Sequence, residues 1–207
     1  IIKLATWRNG YAEDCKSLQS TDFSFKNSHK GVYLFVKSYI IVLNMKICIC
    51  TTPIRPKPTP FPPFGSMAVI QALRNIGEKA SFYHIDYHRY NHSQNSEYFA
   101  SQQFDMVGIS AVVSTAYAYT KYLIQLIKNA NPKTIVFVGG ALAASAEVLH
   151  RKANVDYCVI GDGEIIVQNL VKAIKEKKTS GDDLNKILGI TYIDSKNKFT
   201  FTGYDHP

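Results

Sequence analysis

Residues 134–140 read Thr134-Ile135-Val136-Phe137-Val138-Gly139-Gly140. Four large apolar residues run together without a charge and stop at two glycines. A run this short, rich in β-branched residues and lacking polar alternation, predicts a strand buried on both faces. Lys46–Cys50 (KICIC), Met106–Ser110 (MVGIS) and Asp156–Ile160 (DYCVI) have the same form, and Ala80–Asp86 (ASFYHID) also reads as a strand. Helical spacing fills the gaps between them. Ser66–Ile76 carries Met67, Val69, Ile70, Leu73 and Ile76 and stops at Gly77. Thr115–Asn129 closes at Pro132, Ala144–Lys152 follows the glycine pair, and Ile165–Lys177 ends in lysines that suit its C-terminal dipole. Tyr87–Asn95 is polar and aromatic and reads as a loop, with a short helix over Glu97–Gln103. Ile187–Ile193 and Lys198–Phe201 read as a hairpin around Ser195-Lys196-Asn197. Strands alternating with helices imply an α/β domain: a doubly wound, mainly parallel five-stranded sheet, flavodoxin-like or Rossmann-like, with a C-terminal β-hairpin.

That domain spans 45–180, with the hairpin in 181–207. Residues 1–44 show neither alternation nor a long helical period and read as an extension without an assigned role. The chain has 207 residues, 46% hydrophobic and 19% charged, which fits a globular protein and excludes a disordered or fibrous one. The net charge of +8 is spread along the chain. No basic tract of the kind that binds nucleic acid stands out, and a mildly basic domain suits an anionic small ligand. No apolar stretch reaches the roughly 18–20 residues of a membrane helix; the nearest, Val32–Leu43, is broken by Lys37. Cys15, Cys48, Cys50 and Cys158 are too scattered for a disulfide framework, so the reducing cytosol is the simplest compartment. Cys48 and Cys50, two apart on a strand, read as small buried apolar residues.

In sheets of this type ligands bind beyond the carboxyl ends of the strands. Four such ends are small, Gly-rich or hydroxylic. Thr51-Thr52-Pro53 opens a proline-rich loop that closes with Pro63-Phe64-Gly65-Ser66; Ser110 leads to Ser114-Thr115; Gly139-Gly140 leads to Ala141; and Gly161-Asp162-Gly163-Glu164 follows the last parallel strand. Glycines there admit a ligand close to the backbone, and the helix N-termini just downstream offer N–H donors to a phosphate. Asp162 and Glu164 also stand where acids cap a helix, so capping and ligand contact both remain open for them. The chain has no G-x-x-x-x-G-K-[ST] loop, no G-x-G-x-x-G after its first strand and no G-x-S-x-G elbow.

The ordered set Pro62-Pro63-Phe64-Gly65, Phe104–Ser110, Asn131-Pro132 before Val138-Gly139-Gly140, and Val155–Glu164 resembles the cobalamin-binding domain that precedes the catalytic barrel of cobalamin-dependent radical S-adenosylmethionine enzymes. The resemblance covers about residues 45–193. It implies a corrinoid at the carboxyl edge of the sheet, touching Thr51, Pro63, Gly65, Ser110, Ser114, Thr115, Gly139, Gly140, Ala141, Gly161, Gly163 and Glu164. It also implies that the cobalamin is presented to a radical enzyme domain, with methyl transfer as the commonest use. The family usually has Gly-Glu-Gly-Glu where this chain has Gly161-Asp162-Gly163-Glu164. Many cobalamin domains place a cobalt-binding His after the first strand; Thr51–Gly65 contains none, so no cobalt ligand is expected from that loop. His84, His88 and His92 lie four apart, but on a strand end and loop they would not form one metal-binding face. The four cysteines cannot build the Cys-x-x-x-Cys-x-x-Cys motif of a radical enzyme. The resemblance thus implies that the iron–sulfur cluster and S-adenosylmethionine belong to a C-terminal domain, and the chain reads as the N-terminal part of a longer enzyme. Two alternatives remain open: a cofactor-free α/β docking module and a nucleotide-binding Rossmann-like domain.

Overall fold

A computed structural model describes residues 6–8, 11–13, 25–28, 31–34 and 44–204. The chain divides into two compact units, Ile1–Leu43 and Asn44–Pro207. In the first, β1 (Thr6–Arg8) pairs antiparallel with β2 (Tyr11–Glu13), and β3 (Phe25–Ser28) with β4 (Gly31–Leu34). Cys15, and all but the first three residues of Val32–Leu43, lie outside the described residues.

The second unit is built on strand alternation. In β5 (Lys46–Thr51), Ile47 and Ile49 point to one face and Cys48 and Cys50 to the other, all buried. The same split runs through β7 (Met106–Ser110), β8 (Ile135–Gly139) and β9 (Tyr157–Val159). One face, with Ile49, Met106, Phe137 and Val159, packs against α1 (Phe64–Asn75) and α6 (Gly163–Lys175). The other, with Cys48, Val107, Val138 and Cys158, packs against α3 (His92–Gln102), α4 (Tyr117–Ala130) and α5 (Ala146–Ala153). Burial pushes the Cys48 and Cys158 thiols up to about 12, so both behave as apolar core residues.

With β6 (Lys79–Tyr83), β10 (Ile190–Ile193) and β11 (Phe199–Phe201), the sheet order is β11-β10-β9-β8-β7-β5-β6. The five strands β5 to β9 pair in parallel. The chain goes from β5 outward to β6 and then back across to β7, the flavodoxin-like order whose switch point lies between β5 and β7. The hairpin does not stand apart from the five-stranded sheet. β10 pairs antiparallel with β9 (Ile190 opposite Val159), and β11 with β10, giving seven strands. Buried His150 ties α5 to this edge, its two ring nitrogens 2.9 Å from the Val155 carbonyl and from Thr191 Oγ1.

Two local expectations change. Tyr87–Asn95 is not a loop: α2 (Ile85–His88) ends at Arg89 in the left-handed region, and α3 starts at His92. The cause is a capping box, Asn91 and Gln94 each bonding the other's backbone amide. His84, His88 and His92 thus flank or begin two short helices rather than sharing the face of one. Between α6 and β10, α7 (Gly181–Leu184), capped by Ser180, also went unread in the sequence.

Candidate functional site

Two cavities of about 270 Å³ each open at the carboxyl edge of the parallel strands and share Gly65, Ser66, Ser110 and Val112 as a common wall. The first is a slot between the sheet and the N-terminal ends of α1 and α6. Its floor is Ile49, Gly108, Phe137 and Val159; its sides are Ser66 and Val69 of α1 and Gly163, Glu164 and Val167 of α6. The second lies beneath the proline-rich loop, between Thr51, Pro63, His84 and Asp86. Asp86 is the fixed point of that loop. Its buried carboxylate accepts from Ile54 N (3.0 Å), Thr59 N (3.3 Å) and Arg89 (3.0 Å), while its own amide donates to Thr51 Oγ1 (3.1 Å). Burial lowers the pKa of His84 below the ordinary imidazole value, favouring the neutral ring.

The glycines at this edge act for different reasons. A Cβ at Gly65 or Gly139 would meet nothing within 4 Å, so both leave open space at the cavities. Gly140 has φ +87° and its Cβ would lie 2.7 Å from the Ala111 carbonyl oxygen; the turn itself requires glycine there. Gly161 also has a positive φ, +114°. Gly108 makes room for a neighbour: its Cβ would fall 2.8 Å from Ile49 Cδ1 and closer still to the Phe137 ring. That ring lies on the floor and leaves the slot open.

Of the residues anticipated from sequence, the slot brings together Gly65, Ser110, Gly139, Gly140, Gly161, Gly163 and Glu164, and the second cavity adds Thr51 and Pro63. Ser114 and Thr115 occupy a 3₁₀ turn before α4, and Ala141 begins another over Ala141–Ser145. All three are exposed and line neither cavity. Asp162 takes the N-cap position of α6 without a side-chain cap bond, so capping does not occupy its carboxylate. The sequence reading passed over Ser66, Phe137, His84 and Asp86. Ser66 had one signal, a polar residue in the first turn of an otherwise apolar helix.

A larger hollow of about 1070 Å³ opens at the opposite, amino-terminal edge, between the α5–β9 connection and the β10–β11 turn. Two of its polar side chains, half-buried Asp156 and buried His150, are already paired. Asp156 accepts from Lys128 Nζ and from Val136 N, both at 2.6 Å, and both nitrogens of His150 are bonded. The unpaired groups lie at the carboxyl edge instead. Ser66 Oγ is buried without a hydrogen-bond partner among the described residues, and the Ser110 hydroxyl makes no hydrogen bond to them either.

Against known proteins, a family model described as the B12 binding domain matches residues 57–171. The chain belongs to the B12-binding domain family. Its cofactor is accordingly cobalamin. No curated protein sequence matches the chain. Among solved structures, this B12-binding domain superposes on the radical S-adenosylmethionine methyltransferase TsrM from Kitasatospora setae with cobalamin and a [4Fe-4S] cluster bound. The TM-score is 0.63 at 19% identity, covering 78% of this chain and 29% of that one. It also superposes on the cobalamin-dependent S-adenosylmethionine radical enzyme OxsB with aqua-cobalamin and S-adenosylmethionine bound, with TM-score 0.67 and 16% identity over 80% of this chain and 23% of that one. The likeness is one of fold, and the chain spans less than a third of either enzyme.

The residues present fit such a cofactor. The slot holds a flat, narrow group against Gly139 and offers unpaired hydroxyls at Ser66 and Ser110. It is far too small for a corrin macrocycle, which must remain on the rim. There Phe61, Phe64, Met67, Val112 and Ile165, each 46–72% exposed, form an apolar surface around the mouth. Exposed apolar residues gathered at one place mark a contact site.

Proposed function

We propose that this domain holds cobalamin with its nucleotide tail in the slot between β7–β9 and the N-termini of α1 and α6, the corrin resting on the apolar rim. Thr51, Pro63, Gly65, Ser110, Gly139, Gly140, Gly161, Gly163 and Glu164 are the contacts assigned; Ser114, Thr115 and Ala141, which line neither cavity, are left out. Bound cobalamin supplies a cobalt ion able to carry a methyl group, and the protein supplies placement. Gly139 lets the tail lie flat on the end of β8. Ile49, Val69, Val159 and Val167 keep water from the base. The Asp86 clamp fixes the proline-rich loop beside the macrocycle. A radical S-adenosylmethionine domain elsewhere in the full-length protein is the partner we assign to the exposed corrin face, with methyl transfer as the reaction.

The observation that carries this reading is the slot itself, an open cavity at the carboxyl edge of the parallel strands, floored by apolar residues, rimmed by glycines and carrying an unpaired buried hydroxyl. Incubating the purified chain with hydroxocobalamin and desalting it tests the proposal. Retention of a stoichiometric corrinoid spectrum supports it. A colourless protein refutes it and leaves a docking module or a nucleotide site.

A further inference from the structure

We infer that Ser66, with the free amides at the start of α1, grips the phosphodiester of the cofactor's nucleotide tail; this rests on the cobalamin reading above. Ser66 is 4% exposed, and its Oγ has no partner. A buried hydroxyl without a partner is uncommon, because burial strips it of water and returns nothing. This one belongs to a residue that lines both cavities at their shared wall. Helical side chains lean toward the N-terminus of their helix, so Ser66 leans toward the strand ends, where the cavities open. No hydrogen bond holds the hydroxyl in its orientation.

Three further observations select an anionic acceptor. The N-cap of α1, Pro63, provides no side-chain cap, and no acidic residue sits in the first turn. The Gly65 and Ser66 amides therefore have no partner among the described residues, and the positive end of the 12-residue helix is left uncompensated. No Lys or Arg lines the slot, so an anion there must be met by amides and hydroxyls. The opposite wall carries the carboxylates of Asp162 and Glu164, which repel an anion toward α1 and suit ribose hydroxyls. Both helices bring uncapped amides to the slot, but only α6 sets carboxylates beside its own, so α1 is the wall that presents donors alone. A phosphodiester followed by a ribose has matching polarity.

The test compares wild type and Ser66→Ala with three corrinoids by absorbance titration: cobinamide, which lacks the tail, cobinamide phosphate, and hydroxocobalamin. Wild type should bind cobinamide phosphate more tightly than cobinamide. Ser66→Ala should weaken cobinamide phosphate and hydroxocobalamin by about 10- to 100-fold, as expected for one hydrogen bond to a charged group, and leave cobinamide unchanged. The melting temperature of the ligand-free variant should stay level or rise, because alanine removes a buried hydroxyl that bonds nothing. If Ser66→Ala binds all three as wild type does, the inference fails while the cobalamin reading stands. Equal loss for cobinamide makes Ser66 a structural residue, and loss for hydroxocobalamin alone moves the contact to ribose or base; either result overturns the phosphodiester assignment. Wild type that binds no corrinoid sinks the cobalamin reading itself.

Discussion

A methyl group added at Gly139 meets no protein atom within 4 Å and needs no unusual backbone angle. In the ligand-free protein, Gly139→Ala should therefore stabilise by about 0.4–1 kcal/mol, because the unfolded chain loses freedom. For a unit of this size, roughly 2–4 °C per kcal/mol, the melting temperature should rise by about 1–4 °C. If the cofactor's tail lies on the end of β8, a larger side chain must displace it. Filling an occupied site costs about 1–3 kcal/mol, so Gly139→Val should weaken hydroxocobalamin binding by about 5- to 150-fold. Thermal melts without ligand and absorbance titrations with it read the two effects separately, and the signs should be opposite. Gly140 is the control. Its φ of +87° and ψ of −174° lie in a region only glycine enters readily, and its Cβ would sit 2.7 Å from the Ala111 oxygen. Gly140→Ala should lower the melting temperature by about 2–12 °C, from about 1–3 kcal/mol of strain, so its binding loss alone would be uninformative. Wild-type affinity in a stable Gly139→Val protein would refute the proposed path of the tail.

Gly108→Ala should destabilise by about 1–3 kcal/mol, because its Cβ drives into the Phe137 ring; adding Phe137→Leu should recover most of the loss in a double-mutant melt. Burial lowers the His150 pKa below its ordinary 6.5, so the folded state disfavours the protonated ring. Its contribution is complete above pH 6.5 and declines as pH falls below that value, since the unfolded chain then binds the extra proton. Melts of His150→Gln between pH 7 and 5 should show a flatter decline than wild type, which half-buried His84, shifted in the same direction, still shares. Asp86→Ala should free the Ile54 and Thr59 amides; hydrogen exchange at these two should accelerate while the β7 amides stay protected. Unchanged exchange would show that the proline-rich loop holds itself.

The parallel strands were legible because burial on both faces leaves no polar alternation. KICIC and MVGIS have few other readings, and Met106–Ser110 was read with its observed bounds. Only the second half of α3 was read, as Glu97–Gln103; α2 and the start of α3 were not, since their stability comes from the Asn91–Gln94 box and from tyrosine stacking, Tyr83 on Tyr98 at 3.8 Å, rather than from an apolar stripe. At the site, the glycine-bearing ends were placed on one edge, but sequence could not say why each glycine is there. Gly139 and Gly65 leave space, Gly140 serves a turn and Gly108 yields to a ring. Ser114, Thr115 and Ala141 lie in 3₁₀ turns that precede their helices and line neither cavity, a detail that residue type at a strand end does not reveal. Ser66 was seen at a strand end but given no contact, because an unpaired hydroxyl is a property of its surroundings.

The β10–β11 hairpin reverses the chain twice. Gly189 sits beside Ile160 at the carboxyl edge, β10 descends to Ile193, and β11 climbs back until the Gly203 carbonyl receives the Gly189 amide at 2.8 Å. An even number of reversals restores the original heading, so the polypeptide leaves Phe201 travelling the same way as the parallel strands. Residues 202–204 thus emerge on the side where the cavities open, and a segment continuing from them would set out from that edge rather than from the far side of the sheet.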